Sequence, residues 1–201
     1  MENENLAVTV NTNGSLKIVD KRTSQTYDNL LTFEDSADIG DGWYYGMAVN
    51  DEVFSSTASS AAVSLVHDGP NLTTFRIRTV MQVPRQFTFD NTMVRTDELV
   101  DLVIESSVNL RPGASDIEIQ TVVKNVAEDH RLRVLFPSNV DADTYLADTP
   151  FDVVERPIAL NSDNYLFREL EVETKPQQSW TAIFEEGRGL AVVSTGLLET
   201  A

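Results

Sequence analysis

TTFRIRTVMQV, residues 73–83, alternates almost without a break: Phe75, Ile77, Thr79, Met81 and Val83 fall on one side, and Arg76, Arg78 and Gln82 on the other. A period of two buries one set of side chains and leaves the other in water, which is the pattern of a half-buried antiparallel strand. The same rhythm recurs in ELVDLVIESSVNL (Leu102, Ile104, Val108, Leu110), in DIEIQTVVKN (Ile117, Ile119, Val123) and in HRLRVLFP (Leu132, Val134, Phe136).

Turn formers separate these runs: Asn13-Gly14, Asp68-Gly69-Pro70, Arg111-Pro112-Gly113-Ala114 and Glu186-Gly187-Arg188-Gly189. LAVTVNTNGSLKIVD reads as a hairpin closed by Thr12-Asn13-Gly14, because Asn and Gly tolerate the positive φ of tight hairpin turns. A short helical turn near residues 93–99 is the one helical expectation. Many long strands without a linker or repeat predict an all-β fold: a large antiparallel two-sheet β-sandwich in a single domain, residues 1–201. The stretch from 138 to 176 is less regular, and it is expected along the rim as loops and short edge strands.

With 201 residues the chain can bury a sizeable core without covalent staples, and it has no cysteine. That removes disulfides, thiol nucleophiles and cysteine metal sites, and it suits a reducing compartment. The start, MENENLAVTV, is acidic and alternating, not a signal peptide. No stretch approaches the ~18 to 20 apolar residues of a membrane helix. Fifteen basic against 32 acidic residues give a net charge of −17, which repels phosphate backbones and anionic lipid. Nucleic acid and membrane are therefore not expected partners.

FEDSADIGDGWYYG, residues 33–46, concentrates Glu34, Asp35, Asp38 and Asp41 ahead of Trp43, Tyr44 and Tyr45. Carboxylates hold sugar hydroxyls, rings pack on a pyranose, and paired carboxylates can hydrolyse a glycoside. Four acids in one loop are nonetheless more often a solvated, mutually repelling surface. The spacing of Asp35, Asp38 and Asp41 does not match a calcium loop, and neither does that of Asp141, Asp143 and Asp148. His67 and His130 lie far apart at strand ends, where partly exposed structural histidines are expected, so no metal site is expected in the chain. No G-x-S-x-G elbow, phosphate loop or dinucleotide fingerprint is present. Gly187 and Gly189 read as a hairpin turn. Arg156 or the Arg131/Arg133 pair could clamp an anion, although such arginines usually decorate a solvated face.

Three stretches in order resemble the C-terminal β region of glycoside hydrolase family 38, the α-mannosidases. They are ENENLAVTVNTNGSLKIVDKRTSQTYDNLLTFEDSADIGDGWYYG, HRLRVLFPSNVDADTYLADTPFDVVERP and KPQQSWTAIFEEGRGLAVVSTGLLE. The middle one is the most specific. The resemblance implies a galactose mutarotase-like supersandwich. It also implies a parent enzyme whose N-terminal catalytic barrel carries the nucleophile and most zinc ligands, followed by a helical bundle. The chain itself is then a non-catalytic part with no catalytic and no metal residue of its own.

By position, the loop after the first hairpin would line the sugar pocket. Trp43 or Tyr45 would be the ring that meets the sugar, with Asp38 and Asp41 shaping the loop. The implied parent is a retaining, zinc-dependent α-mannosidase of the cytoplasm that acts on terminal α-linked mannose. Its barrel and helical domain would be the partners of this chain, and a homodimer is a further option. An apolar docking patch is expected on one face. The competing reading is a free-standing carbohydrate-binding or mutarotase-like module with the acidic-aromatic loop as its own site.

Overall fold

The computed structural model describes residues 1–41, 45–166 and 171–201. The chain forms two compact units, Met1–Pro137 and Ser138–Ala201. In the first unit the strands are β1 (Leu6–Val10), β2 (Leu16–Asp20), β3 (Gln25–Leu30), β4 (Thr32–Ala37), β5 (Phe54–Ser55) and β6 (Ala61–Gly69). They are followed by β7 (Leu72–Pro84), β8 (Phe87–Thr88), β9 (Val94–Arg95), β10 (Leu99–Leu110), β11 (Glu118–Lys124) and β12 (His130–Leu135). All pairings are antiparallel, in sheets ordered β1-β2-β3, β11-β10-β7-β6, β12-β4-β5 and β8-β9.

The alternation read in β7 and β10 is realised: Ile77, Thr79, Met81 and Val83 are buried on β7, as are Leu102, Ile104, Val108 and Leu110 on β10. The two strands pair over twelve residues, from Leu99↔Pro84 to Leu110↔Thr73. Leu6 and Val8 of the first hairpin pack on Leu110, flanked by Met1, Ile18 and Ile117. Strand β11 differs from the expectation. It lies at the edge of its sheet, where Val122 and Val123 stay 63% and 38% exposed.

The first hairpin turns where Asn13-Gly14 predicts, but the two residues work differently. Gly14 takes φ +86°. Asn13 instead accepts the Ser15 amide at 3.1 Å and the Ser15 hydroxyl at 2.8 Å. The helical turn expected near 93–99 is absent: Val94 and Arg95 form β9, and Leu99 opens β10. Short 3₁₀ turns occur instead at Ser56–Ala58 and Asn164–Leu166.

The second unit holds β13 (Thr144–Asp148), β14 (Val153–Pro157), β15 (Lys175–Pro176), β16 (Trp180–Glu185), β17 (Arg188–Val193) and β18 (Glu199–Thr200). Its main sheet runs β14-β13-β16-β17, with β15-β18 as a small pair. Strand β13 is thus an inner strand, not the edge strand expected for this stretch; the loss of alternation reflects apolar side chains on both faces. The Gly187 turn between β16 and β17 is as read, with φ +78°.

Candidate functional site

The acidic stretch does not form one loop. Thr32–Ala37 is strand β4, which places Phe33, Asp35 and Ala37 on the inner face and Glu34 and Ser36 on the other. Asp35 is 0% exposed. A lone carboxylate so deeply buried would be very costly, and this one is fully engaged. Its Oδ1 accepts Arg95 Nη2 at 2.5 Å, and its Oδ2 lies 2.5 Å from His130 Nδ1.

Strand pairing explains the meeting. Strand β12 runs antiparallel to β4 with Leu132 opposite Asp35 and His130 opposite Ala37. His130 and Asp35 are therefore diagonal neighbours on one face, within reach of each other. Arg95 arrives from β9 and lies over the Phe54 ring, 5.4 Å from its centre. The expected partly exposed histidine is corrected here, since the His130 side chain is only 5% exposed. Its Nε2 lies 3.0 Å from Asn125 Oδ1. On the opposite face Glu34 pairs with Arg133, its direct cross-strand partner.

The loop proper begins at Asp38. Its Oδ1 accepts the amides of Gly40 and Gly46, each at 3.0 Å. The Ile39 amide donates to the Gly46 carbonyl at 2.9 Å, and the Asp38 amide to the Asp129 carbonyl at 3.0 Å. A Cβ on Gly46 would come within 2.4 Å of the Gly40 nitrogen, so only glycine permits this closure. Further along, Asp51 Oδ2 accepts the Ala37 amide at 2.8 Å, and Ala48 packs with Ala37 and Phe87. The loop is tied to the end of β4 on both sides.

Tyr45 is half-buried, with the Arg131 guanidinium 4.5 Å from its ring centre. Because β12 alternates, Arg131 reaches this ring while its neighbour His130 faces inward. Asp41 is exposed and engaged, and Trp43 lies outside the described residues. Sequence reasoning missed Arg95 and Asn125, and it read His130 only as a structural histidine. The available signal was the period of two in TFEDSA, which places Asp35 inside and so demands buried cations.

Among the described residues, no group of three His, Asp or Glu side chains is placed to hold a metal. A polar depression of about 710 Å³, lined by Asn11, Asn13, Asp28, Asn29, Thr57 and Ser59 among others, shares no residue with the 33–46 stretch. It offers amides and hydroxyls but no ring on which a sugar could stack.

Comparison with known proteins agrees with this architecture. The glycosyl hydrolases family 38 C-terminal domain matches residues 1–200. The crystal structure of an alpha-mannosidase from Enterococcus faecalis V583 has a TM-score of 0.91 and 27% identity, over 99% of this chain and 24% of that one. A second crystal structure, of a glycosyl hydrolase family 38 protein from Enterococcus faecalis, gives a TM-score of 0.87 at 27% identity with the same coverage of both chains, 99% and 24%. A protein of Halalkalibacterium halodurans named "Putative mannosylglycerate hydrolase" is 27% identical over 170 residues, which are 78% of this chain and 19% of its own. The chain spans only about a fifth to a quarter of the length of these relatives. The antiparallel β architecture and the family match agree, and the chain belongs to glycoside hydrolase family 38 as a C-terminal β-sandwich region of that family.

Proposed function

We propose that this chain is the non-catalytic β region of a retaining α-mannosidase that hydrolyses terminal α-linked mannose, and that its 38–46 loop forms part of the pocket rim. One observation carries the reading. Of the four acids in the 33–46 stretch, Glu34 is paired with Arg133, Asp35 is locked between Arg95 and His130, and Asp38 closes its own loop. These three carboxylates hold structure, and the fourth, Asp41, is exposed and engaged, which supports placing the chemistry outside the stretch.

Tyr45 is the described ring that can serve the sugar. Arg131 covers one of its faces, so a pyranose would stack on the other, with Asp38 and Asp41 setting the loop. Trp43 is the second candidate ring. The complete enzyme would use an aspartate nucleophile in its barrel and a glycosyl-enzyme intermediate that water hydrolyses. The described residues offer no ligand set for the zinc that the family resemblance implies, so no step in this chain runs through it.

The barrel and helical domain of such an enzyme are the partners this reading requires, and exposed apolar side chains support them. Phe151, Val193 and Tyr165 are 101%, 79% and 75% exposed, and Phe184 and Leu198 are also in water. In the second unit Leu146 and Ala182 share one face of the sheet, and Ala147 and Thr181 the other. A sheet that is apolar on both faces is one that other protein covers. The cytoplasm remains the proposed location.

Titration with methyl α-mannoside, followed by amide NMR, separates this reading from a free-standing sugar-binding module. A rim without its pocket gives no saturable shifts at residues 38–46. Saturable binding at that loop favours the module and overturns the proposal.

A further inference from the structure

The Asn125 amide oxygen decides the charge of His130. Asn125 Oδ1 accepts the Ala127 backbone amide at 3.0 Å, and the same oxygen lies 3.0 Å from His130 Nε2. Turning the side-chain amide over would set its NH₂ against the Ala127 N–H, donor against donor, so the oxygen must stay where it is. An unprotonated Nε2 would then face an acceptor with a lone pair, and the contact requires an N–H. On the other side Nδ1 faces Oδ2 of the Asp35 carboxylate, whose Oδ1 accepts from Arg95, so Nδ1 must donate as well.

We infer that His130 carries a proton on each ring nitrogen, as its two acceptors require, and that these paired contacts fasten the stem of the 38–46 loop. The charged groups that meet the ring are Asp35 from β4 and, through that carboxylate, Arg95 from β9; Asn125 supplies the neutral side. Arg131 and Asp129 flank His130 in sequence. Arg131 points to Tyr45, and Asp129 Oδ2 accepts the Phe87 amide at 3.3 Å.

The route to the loop is short. Asp129, at φ +53°, presents its carbonyl to the Asp38 amide at 3.0 Å, immediately before His130 pairs with Ala37. Loss of the Nε2 proton sets two acceptors 3.0 Å apart and frees the 125–130 segment that holds Asp38. His130 is a positioning residue, not a catalytic one. Its effect on a sugar pocket rests on the rim reading above, but its charge and its hold on the stem do not.

Imidazole nitrogen NMR of the 201-residue chain tests the charge, and amide exchange at Asp38, Gly40 and Gly46 tests the hold. Both ring nitrogens of His130 are expected to carry protons. At constant pH, Asn125→Leu should speed stem exchange roughly tenfold while β7 and β10 amides stay protected, whereas Asn125→Asp, which keeps the acceptor, should preserve both protons and the protection. A bare nitrogen on His130 overturns the assignment of both protons. Unchanged stem exchange in folded Asn125→Leu overturns the fastening. Neither readout uses mannoside, so their failure is distinct from failure of the proposed function.

Discussion

The carboxylate of Asp38 accepts the amide of Gly46, eight residues further on, at 3.0 Å. The same oxygen takes the Gly40 amide, so one side chain closes the loop on itself. Asp38→Ala should remove two charge-assisted bonds and cost the loop about 1.5–3 kcal/mol of local stability. Faster exchange at Gly40 and Gly46, with the strands unchanged, is the expected signature. Asp38→Asn, which keeps an acceptor, should do less.

Two glycines with positive φ make a controlled pair. Gly14 at φ +86° has Ala61 Cβ and Ile77 Cγ2 each 2.9 Å from where a Cβ would stand. Gly113 at φ +71° has nothing within 4 Å. Gly113→Ala should cost only the left-handed backbone penalty, about 1–2 kcal/mol. Gly14→Ala adds a clash with β6 and β7 and should cost about 1–3 kcal/mol more. Equal shifts in denaturant midpoint for the two variants would contradict the packing described for the first hairpin.

Asp35 serves a buried guanidinium and a buried imidazole at once. Asp35→Asn keeps the shape but strands Arg95 and His130 without a counter-charge, which should cost about 3–5 kcal/mol of the first unit's stability. Replacing Asp35, Arg95 and His130 together by apolar residues of similar size should cost less than Asp35→Asn alone, since no unpaired charge remains. Urea unfolding of the two variants, read from first-unit amides, checks the order.

Glu4 sets an acid limit on the N-terminal anchor. Its Oε2 accepts the Gly113 amide at 2.8 Å. Hydrogen bonds from its own backbone amide and then from Gly113, aided by the charge of Lys21, hold its carboxyl below the usual glutamate range. A carboxyl lowered by folding contributes stability above its unfolded value and loses it as pH falls through the folded value. The Gly113 amide signal should therefore move only in acid, below the pH at which an ordinary glutamate titrates. Movement at or above that pH would contradict the anchor.

The strands were legible where alternation runs long. The β7 and β10 sequences alternate over ten or more residues, and their inward residues are the core. Strand β4 was hidden because its inward position 35 is an acid, and the cations that make this tolerable lie 60 and 95 residues away in Arg95 and His130. No local pattern reports such a pairing. The inner strand β13 was hidden for a different reason: Leu146 and Ala147 serve opposite faces, which erases the polar half of the alternation. The family resemblance suggested a role for the loop that pattern alone left open. Its stem geometry, set by Asp38 and Gly46, required coordinates.

The central claim is that this chain holds and shapes but does not catalyse. Hydrolysis of an aryl α-mannoside by the purified, folded 201-residue chain, with zinc added and with chelator, tests it most directly. The account predicts no turnover in either condition. Zinc-dependent turnover would contradict it and would return Asp38 and Asp41 to consideration as catalytic carboxylates.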